Sequence, residues 1–406
     1  MSRVVKCNTI LFLLTLICWA SSVCAQQFDI TGNKKRAFLH FKMIRSMVVI
    51  PLKINGKGPY NFILDTGVGL MLITDPKLID SLNIVNKRTI TIAGLGERDN
   101  YEAIIAPLVS INIADQLVSK DVSAAILKDD FFGLSNYAGM PIHGLLGAEF
   151  FRQLSVKVNF TDSTLLITRP GKMRIFRKAE KIPLTIEEGK PYMKARVTIA
   201  NDKSKTNKLL IDLGAGHPLS LEKVDSLPQK SISANLGVGL NGLIDGHLSR
   251  VSNLNIGKYN INDVITSFPS NDPSFKTSVQ RDGSVGIGIL KRFDIIFDYQ
   301  NNAMYLKPNS YLKEVFEHDM SGLSYHAAGE NFDHLIVEKV DAGSSAEEVG
   351  IQAEDEIISI NFKPVNKMSM QQIDDLLKSR DGRTILLELY RDKETARVLL
   401  TLKRRI

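Results

Sequence analysis

Cysteine and tryptophan are almost absent from the sequence. Its 406 residues include three cysteines and one tryptophan, and all four lie near the amino terminus: Cys7, Cys18, Trp19 and Cys24. The rest of the chain can form no internal disulfide, supply no thiol nucleophile and build no cysteine metal site. A chain of this size without disulfides must be stabilised by its hydrophobic core. This fits a bacterial envelope better than a eukaryotic secretory pathway.

Apolar segments long enough to span a bilayer are also lacking. The apolar run Ile10–Trp19 is too short to cross a membrane as a helix. It follows two basic residues and precedes Ser21–Ala25, whose small residues suit a cleavage site. Residues 1–25 are therefore predicted to be a secretory signal peptide, so the protein is expected in the periplasm or cell envelope. A retained membrane anchor and a lipid attached at Cys24 are the alternatives.

Patterns typical of nucleic-acid or metal binding are missing as well. The net charge is +7, but the basic residues are scattered and form no stripe that alternates with aromatic residues. The seven histidines lack metal-ligand spacing, and no HExxH motif occurs. We therefore expect no nucleic-acid partner, no metal and no cofactor.

Two kinds of segment occur twice in the chain. The first is an apolar strand followed by an aspartate and a glycine-rich turn, and the second is a glycine-rich strand followed by a short helix and another strand. The pairs are Phe62–Thr74 with Leu209–Leu221, and Gly144–Phe160 with Gly283–Tyr299. This repeated order predicts two homologous lobes, residues 26–170 and 171–310. Each lobe contributes one aspartate, Asp65 or Asp212.

Both lobes have the pattern of β structure. Short runs of Val, Ile, Leu and Thr alternate roughly with polar residues and are interrupted by Gly, Asn, Asp and Pro. A glycine turn also recurs at corresponding places, Gly94–Gly96 and Gly237–Gly239. The lobes are therefore predicted to be mainly β.

The last hundred residues have a different pattern. His334–Val340 and Thr384–Arg391 are predicted strands, and Met370–Ser379 is a predicted amphipathic helix. Residues 311–406 are therefore predicted to form a separate domain.

The aspartate loops resemble those of the pepsin and retropepsin superfamily of aspartic proteases. The residues that carry this resemblance are Asp65-Thr66-Gly67, Asp212-Leu213-Gly214 and the segments that begin GLLGAEFFRQ and GSVGIGILKR. The resemblance implies that Asp65 and Asp212 form a catalytic dyad that activates a water for peptide hydrolysis. Because both lobes lie in one chain, it implies a monomer. A homodimer that uses only Asp65 from each chain is the alternative.

One residue departs from the family pattern. Leu213 stands where the family has Thr or Ser, whose hydroxyl normally braces the two loops. Both aspartates are intact, so an active endopeptidase is the leading interpretation. The rival is a catalytically degenerate envelope protein that binds peptides and uses the lobes as a scaffold. The resemblance also suggests a flap over the cleft, with Gly94, Gly96 and Tyr101 as its candidate residues.

The carboxy-terminal segment resembles a PDZ domain. Gly322-Leu323-Ser324-Tyr325 lies at the Gly-Leu-Gly-Phe loop position, and Met370 lies at the start of the helix that borders the peptide groove. The resemblance implies that Leu323, Ser324, Tyr325 and Met370 bind the carboxy terminus of a peptide. A PDZ domain that packs on its own lobes and binds nothing is the alternative. The predicted fold is therefore mainly β, with two homologous aspartic-protease-like β lobes followed by a PDZ domain.

Overall fold

The computed structural model describes residues 28–82, 88–92, 101–199, 203–224, 226–239, 242–270 and 278–406. The predicted signal peptide and the flap residues Gly94 and Gly96 lie outside these ranges. Within them, no helix is long and apolar enough to cross a membrane. The fold is mainly β, as the sequence predicts.

The first lobe contains twelve of the described strands and three short helices. The strands are β1 (Asp29–Ile30), β2 (Arg36–His40), β3 (Lys42–Ile44), β4 (Met47–Ile54), β5 (Lys57–Leu64), β6 (Met71–Ile73), β7 (Arg88–Ile92), β8 (Tyr101–Ile113), β9 (Leu117–Leu127), β10 (Gly144–Leu146), β11 (Ser155–Asn159) and β12 (Thr164–Thr168). The helices are α1 (Leu78–Ser81), α2 (Leu134–Ala138) and α3 (Glu149–Arg152).

The second lobe contains eleven of the described strands, one α-helix and two 3₁₀ turns. The strands are β13 (Glu180–Pro183), β14 (Thr185–Glu187), β15 (Lys190–Ile199), β16 (Lys203–Ile211), β17 (Leu219–Leu221), β18 (Ile232–Gly239), β19 (Gly242–Ile256), β20 (Tyr259–Pro269), β21 (Gly283–Val285), β22 (Phe293–Asp298) and β23 (Ala303–Pro308). The helix is α4 (Ile287–Leu290), and the 3₁₀ turns are Tyr299–Asn301 and Ser310–Lys313.

The two lobes share one strand arrangement. In the first, β10 pairs in parallel with β5 and antiparallel with β6, and β6 pairs in parallel with β9. In the second, β21 pairs in parallel with β16 and antiparallel with β17, and β17 pairs in parallel with β20. The repeat in the sequence thus corresponds to a repeated topology.

A six-stranded sheet joins the lobes. Its order is β13-β23-β22-β11-β12-β2, so three strands of the second lobe lie beside three strands of the first. The junction is the antiparallel pair of β11 and β22, in which Val156 lies opposite Phe297. Both side chains are fully buried in a hydrophobic core that extends through the two lobes. The lobes are therefore held at a fixed distance by backbone hydrogen bonds and a common core.

The carboxy-terminal region has a core of its own. Its sheet has the order β24-β25-β26-β28-β29, with β27 paired to β26. The elements are β24 (Leu323–Ala328), β25 (His334–Val340), β26 (Glu356–Ile360), β27 (Lys363–Pro364), β28 (Thr384–Arg391), β29 (Glu394–Thr401), α5 (Ser345–Glu348), the 3₁₀ turn Val365–Lys367 and α6 (Met370–Leu377). Buried residues between Met320 and Leu402 form a second hydrophobic cluster.

Helix α6 shows how the local sequence sets an element. Ser369 accepts a hydrogen bond from the Gln372 N–H, and the Gln372 side chain accepts one from the Ser369 N–H. This capping box satisfies two of the amide groups that every helix leaves unpaired at its amino end. The helix ends at Leu377, two residues before the end predicted from the apolar spacing. Ile373 and Leu377 face the core.

Candidate active site

Two aspartates lie at equivalent strand ends. Strand β5 ends at Leu64, and the next residue, Asp65, donates its backbone N–H to the Leu146 carbonyl at 2.9 Å. In the second lobe, the Asp212 N–H reaches the Val285 carbonyl at the same 2.9 Å. Each aspartate is thus anchored at the point where its strand leaves the parallel pair.

The loops turn sharply because each carboxylate accepts a hydrogen bond from the glycine two residues later. The Gly67 N–H donates to Asp65 Oδ1 at 2.6 Å, and the Gly214 N–H donates to Asp212 Oδ1 at 2.9 Å. Asp and Asn side chains stabilise turns in this way. The bonds orient both carboxyl groups.

The glycines also let the two loops meet. A Cβ atom on Gly67 would lie 2.7 Å from Asp212 Oδ2, and one on Gly214 would overlap the Asp65 carboxyl group. Each aspartate therefore lies against the glycine of the opposite loop, and only glycine leaves room for it. The structure thus brings together Asp65 and Gly67 from one lobe with Asp212 and Gly214 from the other.

The electrostatics of the pair follow from this contact. Asp65 is 8% exposed. Burial, and then the neighbouring charge of Asp212, raise the pKa of Asp65 well above its usual value. A hydrogen bond between the two carboxyl groups raises this pKa further, whereas the Gly67 N–H and the positive charge of Lys190 lower it. Two carboxylates in one buried site cannot both ionise easily, so the pair retains a proton and titrates as a unit.

The hydrogen bonds that brace the two loops come from the side chain of only one of them. The Thr66 hydroxyl donates to the Ile211 carbonyl at 2.7 Å and accepts the Leu213 N–H at 2.9 Å. Leu213 has no hydroxyl to return these bonds, and its side chain is completely buried in the shared core. Leu213 thus contributes its backbone to the brace and its side chain to packing.

Three further side chains lie near the pair, and none of them was predicted from the sequence: Lys190, His217 and Tyr299. Burial lowers the pKa of His217, whereas the charge of Asp212 raises it. His217 Nε2 lies 2.9 Å from Ser284 Oγ. Burial, followed by the charges of Asp212 and Asp65, raises the pKa of the Tyr299 phenol well above its usual value. The positions of His217 and Tyr299 inside the repeated segments were the only sequence signal for these residues; Lys190 lies outside them.

Glu149 is a fourth residue that the sequence analysis missed. It begins α3 directly behind the Asp65 loop and is 2% exposed. Glu149 Oε1 accepts the Gly147 N–H at 3.3 Å. Burial raises the pKa of Glu149 to about 7, although hydrogen bonds from backbone N–H groups, including that of Met71, lower it. A charged residue in the apolar run AEFF was the signal that could have found it.

The candidate flap is only partly described. Tyr101 begins β8 and pairs with Ile92 of β7, whereas Gly94 and Gly96 lie outside the described ranges. In the second lobe, the β18–β19 hairpin pairs Gly239 with Gly242. The flap role of Gly94, Gly96 and Tyr101 stays a prediction.

The predicted PDZ peptide-binding residues surround the space between β24 and α6. Leu323 and Tyr325 of β24 are buried, and Ser324 pairs with Lys339 of β25. Met370 is the first residue of α6 and is 6% exposed. Strand β24 is at the edge of its sheet, where a peptide strand could be added.

Part of this space is already occupied. The Leu323 N–H donates to Ser321 Oγ at 3.1 Å. Gly139 of the first lobe lies against Met370, because a Cβ on Gly139 would be 2.7 Å from Met370 Cγ. Residues of both domains, among them Met140, Phe332 and Met370, line a cavity of about 200 Å³ at this boundary.

Two family models match parts of the chain. Residues 50–150 match the family model described as aspartyl protease, and residues 336–391 match the model of the PDZ domain. Both resemblances predicted from the sequence are thereby confirmed. No curated protein matches the sequence.

Solved structures also align with the chain. An aspartic proteinase from Irpex lacteus aligns over 68% of this chain and 98% of its own, with 10% identity and a TM-score of 0.44. The photosystem II D1 C-terminal processing protease aligns over 20% of this chain and 22% of its own, with 23% identity and a TM-score of 0.19.

Proposed function

We propose that this chain, which has an aspartyl protease domain and a carboxy-terminal PDZ domain, is an exported aspartic endopeptidase. Asp65 and Asp212 form its catalytic dyad, and the PDZ domain binds the carboxy termini of substrate or regulatory peptides. The observation that supports this proposal is the contact of each aspartate with the glycine of the opposite loop, because two carboxyl groups this close can share one proton. Export rests on the leader, and amino-terminal sequencing of the native protein tests it, since cleavage after Ala25 leaves Gln26 first.

The chemistry follows from the shared proton. Burial and the charge of Asp212 raise the pKa of Asp65, so the two carboxyl groups keep one proton between them. In the proposed step Asp65 carries this proton. Asp212 acts as the general base and takes a proton from the attacking water. Asp65 donates its proton as a hydrogen bond to the peptide carbonyl oxygen, where negative charge develops. The tetrahedral intermediate then collapses: Asp212 passes the proton that it took from the water to the leaving nitrogen, the C–N bond breaks, and both products are released with Asp212 again ionised.

The rival proposal, a scaffold without catalysis, is suggested by Leu213. The brace bonds of Thr66 weaken this rival, because they hold the second loop through its backbone and need no hydroxyl at residue 213. The buried carboxyl pair weakens it further. Two acids in contact cost stability, and a scaffold gains nothing from keeping them.

The decisive experiment uses Asp65→Asn and Asp212→Asn, assayed with the wild type on a quenched fluorescent peptide and on unfolded casein from pH 3 to 8. Each variant is expected to lose at least about a thousandfold in kcat, because an amide can neither accept the water proton nor hold the shared one. A pepstatin-like inhibitor should block the wild type. Activity should decline as the pH rises through the upper pKa of the pair, where the shared proton is lost.

The matched control is Asp129→Asn, an exposed aspartate of the first lobe. It should retain wild-type kcat. Wild-type protein that is folded and cleaves neither substrate at any pH would support the scaffold reading. Cleavage that survives Asp212→Asn would mean that the second lobe has no catalytic role.

A further inference from the structure

One hairpin of the first lobe touches both the PDZ domain and the second catalytic loop. Strands β3 and β4 are joined by Arg45 and Ser46, which both have positive φ angles of 44° and 64°. This two-residue turn is tight and points its two side chains away from the strands. Arg45 extends to the PDZ domain, and Ser46 lies at the Asp212 loop.

Arg45 is embedded in polar and aromatic partners at the PDZ groove. Its Nε donates to Asp374 Oδ2 of α6 at 3.0 Å, and each of these two side chains is only 9% exposed. Its Nη1 donates to the carbonyl oxygens of Tyr137 at 3.1 Å and Tyr325 at 3.4 Å. The guanidinium carbon lies 4.0 Å from the centre of the Tyr137 ring and 4.9 Å from that of Tyr325. Arginine suits such a site because its planar group can stack and donate several bonds at once.

These contacts close the groove from both sides. The Tyr325 hydroxyl of β24 donates to Asp374 Oδ1 of α6, so a side-chain hydrogen bond joins the two elements between which a peptide is expected to bind. Helix α2 packs along β24, and Gly139 after it lies against Met370. A peptide strand added to β24 would pair with backbone groups of its free edge, and the Tyr325 carbonyl already accepts a hydrogen bond from Arg45.

The other residue of the turn contacts the catalytic loop. A Cβ on Gly216 would lie 3.6 Å from the Cβ of Ser46, so the turn packs against the loop that begins at Asp212. Arg45 and Ser46 are consecutive in a tight turn, so a movement of one moves the other. The turn is thus a short mechanical connection between the PDZ groove and the dyad.

We propose that Arg45 is an internal ligand of the PDZ groove, and that a peptide carboxy terminus binds there only by displacing it. In the docked state, Ser46 supports the Asp212 loop and the dyad is assembled. In the exchanged state this support is lost, so a groove peptide lowers turnover. Arg45 is therefore a positioning residue. This inference rests on the proposed function, because it describes the regulation of the same dyad.

The test uses the full chain and the variants Arg45→Ala, Arg45→Lys and Asp374→Asn, with Arg36→Ala as a matched control for an exposed arginine of the same lobe. Affinity is measured with a fluorescein-labelled peptide that ends in Val-Ala-Val with a free carboxylate. We expect Arg45→Ala and Asp374→Asn to bind this peptide at least about ten times more tightly than the wild type. Arg45→Lys should fall between, because lysine retains the charge and loses the planar stacking.

The kinetic constants distinguish a positioning role of Arg45 from a purely structural role. Both tight-binding variants should lose about fivefold in kcat with KM changed less than twofold, although Asp374 lies in the PDZ domain and far along the chain from the dyad. Saturating peptide should lower the kcat of the wild type in the same way. Unchanged peptide affinity in Arg45→Ala, or absence of peptide binding by every variant, would overturn the exchange.

Hydrogen exchange tests the connection between the turn and the Asp212 loop without relying on catalysis. Amides of residues 212–217 should exchange faster in Arg45→Ala and in the peptide-bound wild type, whereas Arg36→Ala should match the wild type. Unchanged exchange in this loop would overturn the connection. If the wild type cleaves no substrate, the proposed function fails, and the affinity and exchange measurements still decide this inference.

Discussion

At the scale of single residues, Glu149 shows how burial alone changes a side chain's behaviour. It lies behind the Asp65 loop, and its Oε2 has no hydrogen-bond partner among the described residues. Burial raises the pKa of Glu149 from 4.5 to about 7. Between these values the folded protein binds more protons at this group than the unfolded chain. The stabilising contribution is therefore complete below about pH 4.5 and is lost as the pH rises through about 7.

Glu149→Gln is expected to remove this loss, because glutamine does not ionise and can still accept the Gly147 N–H. The free energy of unfolding of the variant minus that of the wild type should rise by on the order of 2 kcal/mol from pH 5 to pH 8. Chemical denaturation at both pH values measures the difference. Glu338→Gln, at an exposed glutamate of β25, is the matched control and should show no such gain. The same difference at both pH values for Glu149→Gln would contradict the assignment.

At the scale of elements, the two aspartate loops form an asymmetric pair. Only the first loop has a hydroxyl, that of Thr66. It donates to the Ile211 carbonyl and accepts a hydrogen bond from the Leu213 N–H, so it makes both bonds across the boundary. The loops therefore depend on one side chain where a symmetric pair would have two. Leu213 offsets part of this by packing its side chain into the core.

Thr66→Val is expected to destabilise the protein by about 2 kcal/mol, since two buried hydrogen bonds are lost at about 1 kcal/mol each. The Leu213 N–H is also left without its acceptor. The matched control is Thr168→Val in β12, where the buried hydroxyl has no partner among the described residues. That change should be neutral or stabilising. Urea unfolding compares the two, and an equal loss in both would mean that the Thr66 bonds contribute nothing.

At the scale of the whole molecule, the shared sheet determines which chain supplies the second aspartate. Strands β22 and β23 of the second lobe lie beside β11 and β12 of the first, with β11 paired to β22 over Ser155–Val158. The second lobe thus occupies the position that a second chain would need in a homodimer. Both aspartates of one site come from the same chain.

We therefore expect a monomer at micromolar concentration, and sedimentation equilibrium should give the mass of one chain, at most 45.1 kDa. Mixing Asp65→Asn with Asp212→Asn should not restore activity, because neither chain contains both carboxyl groups. A dimer mass together with an active Asp212→Asn variant would favour the homodimer that uses only Asp65. A monomer with two inactive variants would exclude it.

The sequence by itself predicted the β class, the repeat and the two family resemblances. These depend on local patterns: alternating apolar residues, glycine turns, and an aspartate at the end of each repeated strand. It also predicted helix α6 within two residues, because the capping residue and the apolar spacing are both local. The two aspartates were selected by their place in the repeat.

Only the tertiary structure decided how these residues act on one another. Thr66 finds its partners 145 and 147 positions away, and Arg45 meets Asp374 across 329. No short pattern marks such pairs, because the pairing depends on which strands become neighbours in the shared sheet. The raised pKa values of Asp65 and Glu149 have the same origin, since burial is a property of the packed molecule and not of the chain.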